Sequence, residues 1–447
     1  MKLINPCFKF CATIFSLAVS ACVFAQGTNQ GANVSGQFKS AIETLVAQRY
    51  PALLAVYQDI HANPELGFQE VRTAALLAKQ MRELGFEVTE RVGKTGLVAI
   101  YRNGAGPTVM VRTELDALPM EEKTGLPYAS KAKAMYRGKE TFVAHSCGHD
   151  IHMASWVGTA ATLVALKSRW QGTLMFVAQP AEELVSGAQA MMDDGMFKRF
   201  GKPDVAFALH TDPIEYGVVG FNSGPVTSNY DSLNIVFKGR GGHGSAPHKA
   251  IDPIMMAAHF LVDMQSLVNR EKDPFEFGVA TIGSIEAGSA ANIIPDSATL
   301  RGTIRTYSPE VRAKIQDGIR RVATSVATAA GAPAPEITIG AGGQAIINNS
   351  DLVARTEATL KAAFGDKARR VPPITASEDF SVFVNAGVPS MFFFVGVSDP
   401  QRVAESKKPD GKPVPFNHSP FFAPVPEPSI KTGVMAMSLA VLTALQR

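Results

Sequence analysis

Cys147 and His149 stand two residues apart in His145-Ser146-Cys147-Gly148-His149-Asp150. In an extended segment, side chains i and i+2 point the same way, so a thiolate and an imidazole here can reach one ion. Gly148 between them leaves room for close approach. Thiolate, imidazole and carboxylate together suit Zn²⁺, and also Mn²⁺, Co²⁺ or Ni²⁺. Two other readings of the pair stay open: a buried free cysteine beside a surface histidine, and a thiol nucleophile activated by a histidine. Four more segments carry ligand-type or acid–base residues. They are Arg112-Thr113-Glu114-Leu115-Asp116-Ala117-Leu118-Pro119, Gln179-Pro180-Ala181-Glu182-Glu183, Leu209-His210-Thr211-Asp212-Pro213 and Asn417-His418-Ser419-Pro420-Phe421. All five are expected just beyond the carboxyl ends of strands, where open α/β sheets place their sites. Adjacent carboxylates on extended chain face opposite sides, so one of Glu182 and Glu183 can bind metal while the other serves as a base. An exposed acidic pair opening a helix is the competing reading.

Other chemistries fail on context. Gly239-Arg240-Gly241-Gly242-His243-Gly244 fits G-x-G-x-x-G, but a dinucleotide site needs a second strand and an acidic residue some 20 positions on. Residues 252–269 read instead as a helix, with Asp263 inside it. Gly93-Lys94-Thr95 ends like a phosphate loop, yet Val88 stands where that motif requires glycine. No G-x-S-x-G nucleophile elbow occurs.

The elements that must position these residues alternate. Val71, Ala74, Ala75, Ala78, Met81 and Leu84 have helical spacing, closed by Gly85. Short strands are expected over 96–101, 108–113, 173–178 and 205–209, and an apolar helix over 152–166. This alternation predicts a mostly parallel sheet covered by helices. Residues 226–344 have another rhythm: strand 232–238, helix 252–269, strands 277–285 and 298–306, helix 309–330, strand 336–339. That β-α-β-β-α-β order predicts an inserted ferredoxin-like domain. The catalytic domain is then expected in two parts, 37–225 and 345–447.

The 447 residues are 46% apolar and 19% charged, the profile of a soluble globular protein. A net charge of +3 is too small at this length to indicate nucleic acid as the main partner. Lys2 and Lys9 precede an apolar, uncharged stretch over 10–21, and Val23-Phe24-Ala25 offers small residues for cleavage. Residues 1–25 are therefore expected to be a secretory signal peptide, followed by a polar linker at 26–36. The apolar stretch is short of the ~20 residues that span a membrane. Val19-Ser20-Ala21-Cys22 also resembles a bacterial lipobox, which would leave Cys22 lipidated. Cleavage at 25 removes Cys7, Cys11 and Cys22 and lowers the charge to +1, leaving Cys147 as the sole thiol. The expectation is an exported protein, periplasmic or secreted.

Taken in order, these segments resemble the aminoacylase/hippurate hydrolase metallopeptidase family, in the branch of the indoleacetyl-amino-acid hydrolases. The likeness runs over about 38–447. It includes His61-Ala62-Asn63-Pro64-Glu65-Leu66, Asp116-Ala117-Leu118-Pro119, Cys147-Gly148-His149-Asp150, Gln179-Pro180-Ala181-Glu182-Glu183, Gly242-His243-Gly244-Ser245-Ala246-Pro247-His248, Asn292-Ile293-Ile294-Pro295 and Ser377-Glu378-Asp379-Phe380. The resemblance implies a catalytic domain holding two divalent metal ions and an inserted lid domain that often dimerises. It implies Cys147, His149, Glu183, His210 and His418 as ligands, with Cys147 shared between the ions. It further implies Glu182 as general base and His243 as an oxyanion stabiliser, with Asn292 and Arg305 holding substrate. Asp116 reads as the orienter of a ligand. His61, His145, His152, His248 and His259 are expected to pack, hydrogen-bond or support the ligands. The expected reaction is hydrolysis of N-acyl or N-aroyl amino acids, small molecules, by a homodimer. A dipeptide-cleaving exopeptidase and a non-catalytic metal or peptide binder are the alternatives.

Overall fold

The computed structural model describes residues 12–446. Lys2, Cys7, Lys9 and Cys11 of the expected leader lie outside the described residues. The chain forms two compact units, one of Met1–Ser223, Asn348–Val371 and Ala386–Arg447, the other of Gly224–Ile347 and Pro372–Asn385.

The strands of the two main sheets, in chain order, are Glu87–Val92 (β1), Gly96–Asn103 (β2), Thr108–Glu114 (β3), Gly172–Gln179 (β4), Val205–Glu215 (β5), Val219–Phe221 (β6), Asp231–Lys238 (β7), Gly278–Ala287 (β8), Ser297–Thr306 (β9), Glu336–Ala341 (β10), Ala368–Arg370 (β11) and Ser390–Ser398 (β12). The larger helices are Ala12–Ala62 (α1), Val71–Glu83 (α2), His149–Ala165 (α3), Pro253–Ser266 (α4), Pro309–Ala329 (α5), Ser350–Phe364 (α6) and Pro426–Leu445 (α7).

The first unit is an α/β fold on one eight-stranded sheet, ordered β1-β2-β4-β3-β5-β12-β6-β11. Strands β4, β3, β5 and β12 run parallel through its centre. Their sequences explain this. Ser-Met-Phe-Phe-Phe-Val-Gly-Val-Ser of β12 is buried at every position, and β4 nearly so. A strand buried on both faces reads as a continuous apolar run rather than an alternating one. Helices α1, α3, α6 and α7 pack together around it. Among the described residues, α7 alone is long and apolar enough to cross a membrane, but 89% of that stretch is buried, so it is a core helix.

Residues 26–36, expected to form a linker, lie inside α1 instead. Val34, Phe38, Ile42 and Val46 recur every four residues and are all buried. That apolar stripe outweighs the glycines and amides beside it.

The second unit is a four-stranded antiparallel sheet, β8-β9-β7-β10, with α4 and α5 closing its core. Its chain order is β-α-β-β-α-β, the ferredoxin-like unit the sequence predicts. Asp252 caps α4 by accepting from Ile254 N–H, and Ser308 caps α5 by accepting from Val311 N–H. Segment 372–385 was expected with the catalytic domain but belongs to this unit. Ser228 N–H donates to Ala376 O at 2.9 Å, Ile374 N–H to Val226 O at 2.9 Å and Tyr307 Oη to Pro373 O at 3.1 Å, which stitches it there.

Candidate metal centre

The first unit brings Cys147, His149, Glu182, Glu183, His210 and His418 together. Ligand atoms of Cys147, His149 and His210 lie within 4.8 Å of one another, as do those of Cys147, Glu183 and His418, and those of His149, Glu182 and Glu183. Cys147 belongs to two of these groups.

The local backbone differs from the extended segments expected. Gly148 has φ +87°, and His149 is the first residue of α3. Cys147 and His149 thus converge across a left-handed turn into a helix, a conformation that favours glycine. Glu182 and Glu183 sit in a 3₁₀ turn between Ala181 at φ +49° and Val185 at φ +50°. The turn brings both carboxylates to one cluster rather than to opposite faces. His210 lies within β5, just beyond Ala208, where pairing with β3 stops. His418 also has positive φ, at +68°, and its N–H donates to Ser146 O at 2.7 Å.

Hydrogen bonds fix which ring nitrogens face the cluster. His149 Nδ1 lies 2.7 Å from the Asp116 carbonyl, which can only accept. Nδ1 therefore carries the proton, and Nε2, buried with no hydrogen-bond partner, presents its lone pair. His210 does the same: Nδ1 donates to Thr211 O at 2.8 Å, and Nε2 lies 3.4 Å from Cys147 Sγ. Asp116 orients His149 through its backbone, while its carboxylate accepts from Glu183 N–H at 3.0 Å. One residue thereby aligns two candidate ligands.

Glu114, His149 and His152 also lie close enough to form a donor cluster. His152 is excluded as a ligand by its own bonds. Its Nε2 accepts from Thr211 N–H at 2.8 Å, so its Nδ1 holds the proton and donates to Glu114 at 2.9 Å. Burial, then the neighbouring His149, push its pKa well below the usual histidine value, which keeps the ring neutral. Glu114 is balanced by the fully buried Arg112, whose Nε also donates to Gln179 at 2.9 Å. His145 is buried with neither ring nitrogen paired, and burial pushes its pKa down to about 4.

The electrostatics suit cations. Burial raises the Cys147 pKa, and Glu183 adds to it. Hydrogen bonds to Cys147 and then Glu183 lift His418 to about 10. Burial opposes charge on His149, yet Cys147 and Asp116 outweigh it and raise its pKa well above the usual value. Protons are drawn onto two histidines beside a thiol and a carboxylate. A divalent cation answers the same negative potential and displaces those protons. The unpaired Nε2 of His149 and the soft and hard donors around it fit such ions.

His243, Asn292 and Arg305 lie in the second unit. His243 Nδ1 accepts from Ser245 N–H at 3.1 Å, which leaves Nε2–H as a donor in the neutral ring. Gly242 and His243 pair with Ile294 and Ile293, so Asn292 adjoins His243. Arg305 donates to Thr375 O at 3.3 Å and lies over the Tyr230 ring at 4.7 Å.

A buried Cys/His/carboxylate centre at the ends of parallel strands is the architecture of a metal-dependent hydrolase. The chain belongs to Peptidase family M20/M25/M40, whose model matches residues 110–412. It is 39% identical to a hippurate hydrolase of Campylobacter jejuni over 334 residues, 73% of this chain and 84% of that protein. It is 34% identical to thermostable carboxypeptidase 2 of Saccharolobus solfataricus over 87% of this chain and 94% of that one. The crystal structure of the Bacillus subtilis YXEP protein, a dinuclear metal binding peptidase of the M20 family, superposes with a TM-score of 0.74 at 27% identity. That match covers 91% of this chain and 99% of the other. The protein is thus a metal-dependent amidohydrolase.

Proposed function

We infer that this protein hydrolyses the amide bond of N-acyl or N-aroyl amino acids, releasing a carboxylic acid and a free amino acid. The carrying observation is the pair of ligand groups that share Cys147, with the Glu182 carboxylate 3.7 Å from the His149 Nε2 that faces them. Cys147, His149 and His210 would hold one divalent ion, and Cys147, Glu183 and His418 the second. When bound, these ions supply Lewis acidity toward water and the amide carbonyl.

Glu182 takes a proton from the attacking water and delivers it to the departing amine. His243 donates Nε2–H to the oxyanion, and Asn292 and Arg305 hold the substrate. Asp116 keeps His149 and Glu183 aligned. The likeness to a hippurate hydrolase supports an acylated amino acid as substrate, and the likeness to a carboxypeptidase keeps dipeptides as the alternative. Export by cleavage after Ala25, or tethering at Cys22, completes the reading. So does a homodimer, supported by Val279 and Ile285, which are exposed on the edge strand β8.

The test is turnover of N-acyl amino acids against matched dipeptides with added Mn²⁺, Zn²⁺, Co²⁺ or Ni²⁺. Preference for the blocked amine is expected. Cleavage of dipeptides alone would overturn the substrate assignment, and full activity in excess chelator would overturn the metal role.

A further inference from the structure

Three ligand-bearing segments of the first unit meet at one backbone atom, the carbonyl oxygen of Cys147. Thr211, the residue after His210, donates its Oγ1 hydrogen to it at 2.8 Å. Asn417, the residue before His418, donates Nδ2 to it at 2.9 Å. A peptide carbonyl has two lone pairs, and both are engaged. Asn417 Nδ2 lies also 3.3 Å from Thr211 Oγ1, so the two donors are tied to each other. Thr211 N–H is held in turn by His152 Nε2, whose tautomer Glu114 sets. The node is tight: a Cβ on Gly148 would fall 2.5 Å from Thr211 Oγ1.

Satisfying a buried carbonyl does not require this arrangement, because Asn417 alone would suffice for one bond. What the second donor adds is geometry. Each of the three segments places the residue bonded to this node at, or next to, a ligand. The node therefore fixes where Cys147 Sγ, His210 Nε2 and His418 Nε2 stand relative to one another. Ligand sites tolerate errors of only about 0.5 Å. We propose that Thr211 and Asn417 are positioning residues that clamp the three ligand segments through the Cys147 carbonyl and so set the affinity for divalent cations. The proposal rests on the ligand assignment above.

The experiment uses the full chain, stripped of metal, and Zn²⁺ alone. Zinc affinity is read by competition with a chromogenic chelator, and folding by thermal unfolding of the zinc-free protein. Thr211→Val and Asn417→Ala should each weaken zinc binding about 10- to 100-fold. Thr211→Ser, which keeps the hydroxyl, should bind as the parent does. Cys147→Ala is the control for the ligands themselves. If Thr211→Val melts early without zinc, Asn417→Ala, at a partly exposed position, carries the test. Parental affinity in Asn417→Ala and in a folded Thr211→Val, with loss in Cys147→Ala, would overturn the clamp alone. Failure of Thr211→Ser to restore binding would overturn the role of the hydroxyl. Parental affinity in Cys147→Ala would overturn the ligand reading, and the clamp with it.

Discussion

His61 sits between two carboxylates inside the first unit. Its Nδ1 lies 2.6 Å from Asp150 Oδ2 and its Nε2 3.1 Å from Glu122 Oε1. Burial opposes charge on the ring, yet the hydrogen bonds to Asp150 and then Glu122 lift its pKa from 6.5 to about 10. At about 1.4 kcal/mol per tenfold change in proton affinity, the imidazolium contributes at most about 5 kcal/mol. Removing one partner from a buried ion pair costs ~3–5 kcal/mol by a separate route, so the two scales agree. Because the folded value lies above the unfolded one, this stability is complete below pH 6.5 and is lost as pH rises toward 10. His61→Gln should therefore lose ~3–5 kcal/mol near pH 7 and flatten the alkaline slope by the part His61 supplies, while His418, also lifted to about 10, keeps its own part in both proteins. Urea unfolding in chelator between pH 6.5 and 10, followed by tryptophan fluorescence, measures both. Trp156 and Trp170 are the only two tryptophans, and both are buried in the first unit, so the signal reports that unit. His145, held at about 4, titrates below this window. Parallel stability–pH curves for parent and variant across the window would refute the buried imidazolium. The variant should also loosen the metal centre. Asp150 adjoins His149, and the loop of Glu122 continues to Lys123, whose N–H donates to Pro420 O at 2.7 Å, two residues past His418.

Glu182→Gln should keep its metal and lose turnover by ~10²–10⁴-fold, the usual contribution of a general base. Undiminished kcat at parental metal content would refute that role. Glu183→Ala should lose metal, measured by elemental analysis after gel filtration; full occupancy would remove Glu183 from the ligand set. His243→Ala should lower kcat ~10²–10³-fold with metal content unchanged, as the oxyanion role proposed for it requires. An unchanged kcat would leave His243 without that role.

The parallel sheet is legible because β4 and the start of β5 are written as apolar runs, though the equally apolar β12 is not among the strands expected, and the second unit because its helical and strand periods alternate in one recognisable order. The donor types are legible too: Glu182, Glu183 and His210 stand in polar segments at the ends of such runs, whereas Cys147 and His149 follow an exposed hairpin and His418 a polar loop, not the strand ends expected of them. The backbone that aims them is not legible. Gly148 is a residue that turns readily, so its left-handed φ was open to inference. Ala181 carries a side chain, and nothing in its type announces φ +49°. The 3₁₀ turn it opens brings Glu182 and Glu183 to one cluster. The place of segment 372–385 is not legible for a different reason: its bonds to Val226, Ser228 and Tyr307 join residues from 66 to 148 positions away, and no local pattern encodes them.

Choosing between His149 and His152 needs the same kind of long-range information. Both are histidines at the start of one helix, and either could serve as a ligand by type and burial. The difference lies in what each Nε2 meets. A backbone N–H can only donate, so the Thr211 N–H that points at His152 occupies the lone pair a metal would need. His149 meets no such donor, and the Asp116 carbonyl holds the proton on its other nitrogen. These partners are 59 and 33 residues distant in sequence. The fold thus distinguishes the two rings by placing a donor against one imidazole and an acceptor against the other. His152→Asn can test that division of labour. Its amide can still accept from Thr211 N–H, so the variant should retain zinc far better than His149→Asn, and equal zinc loss in the two variants would show that the assignment is wrong.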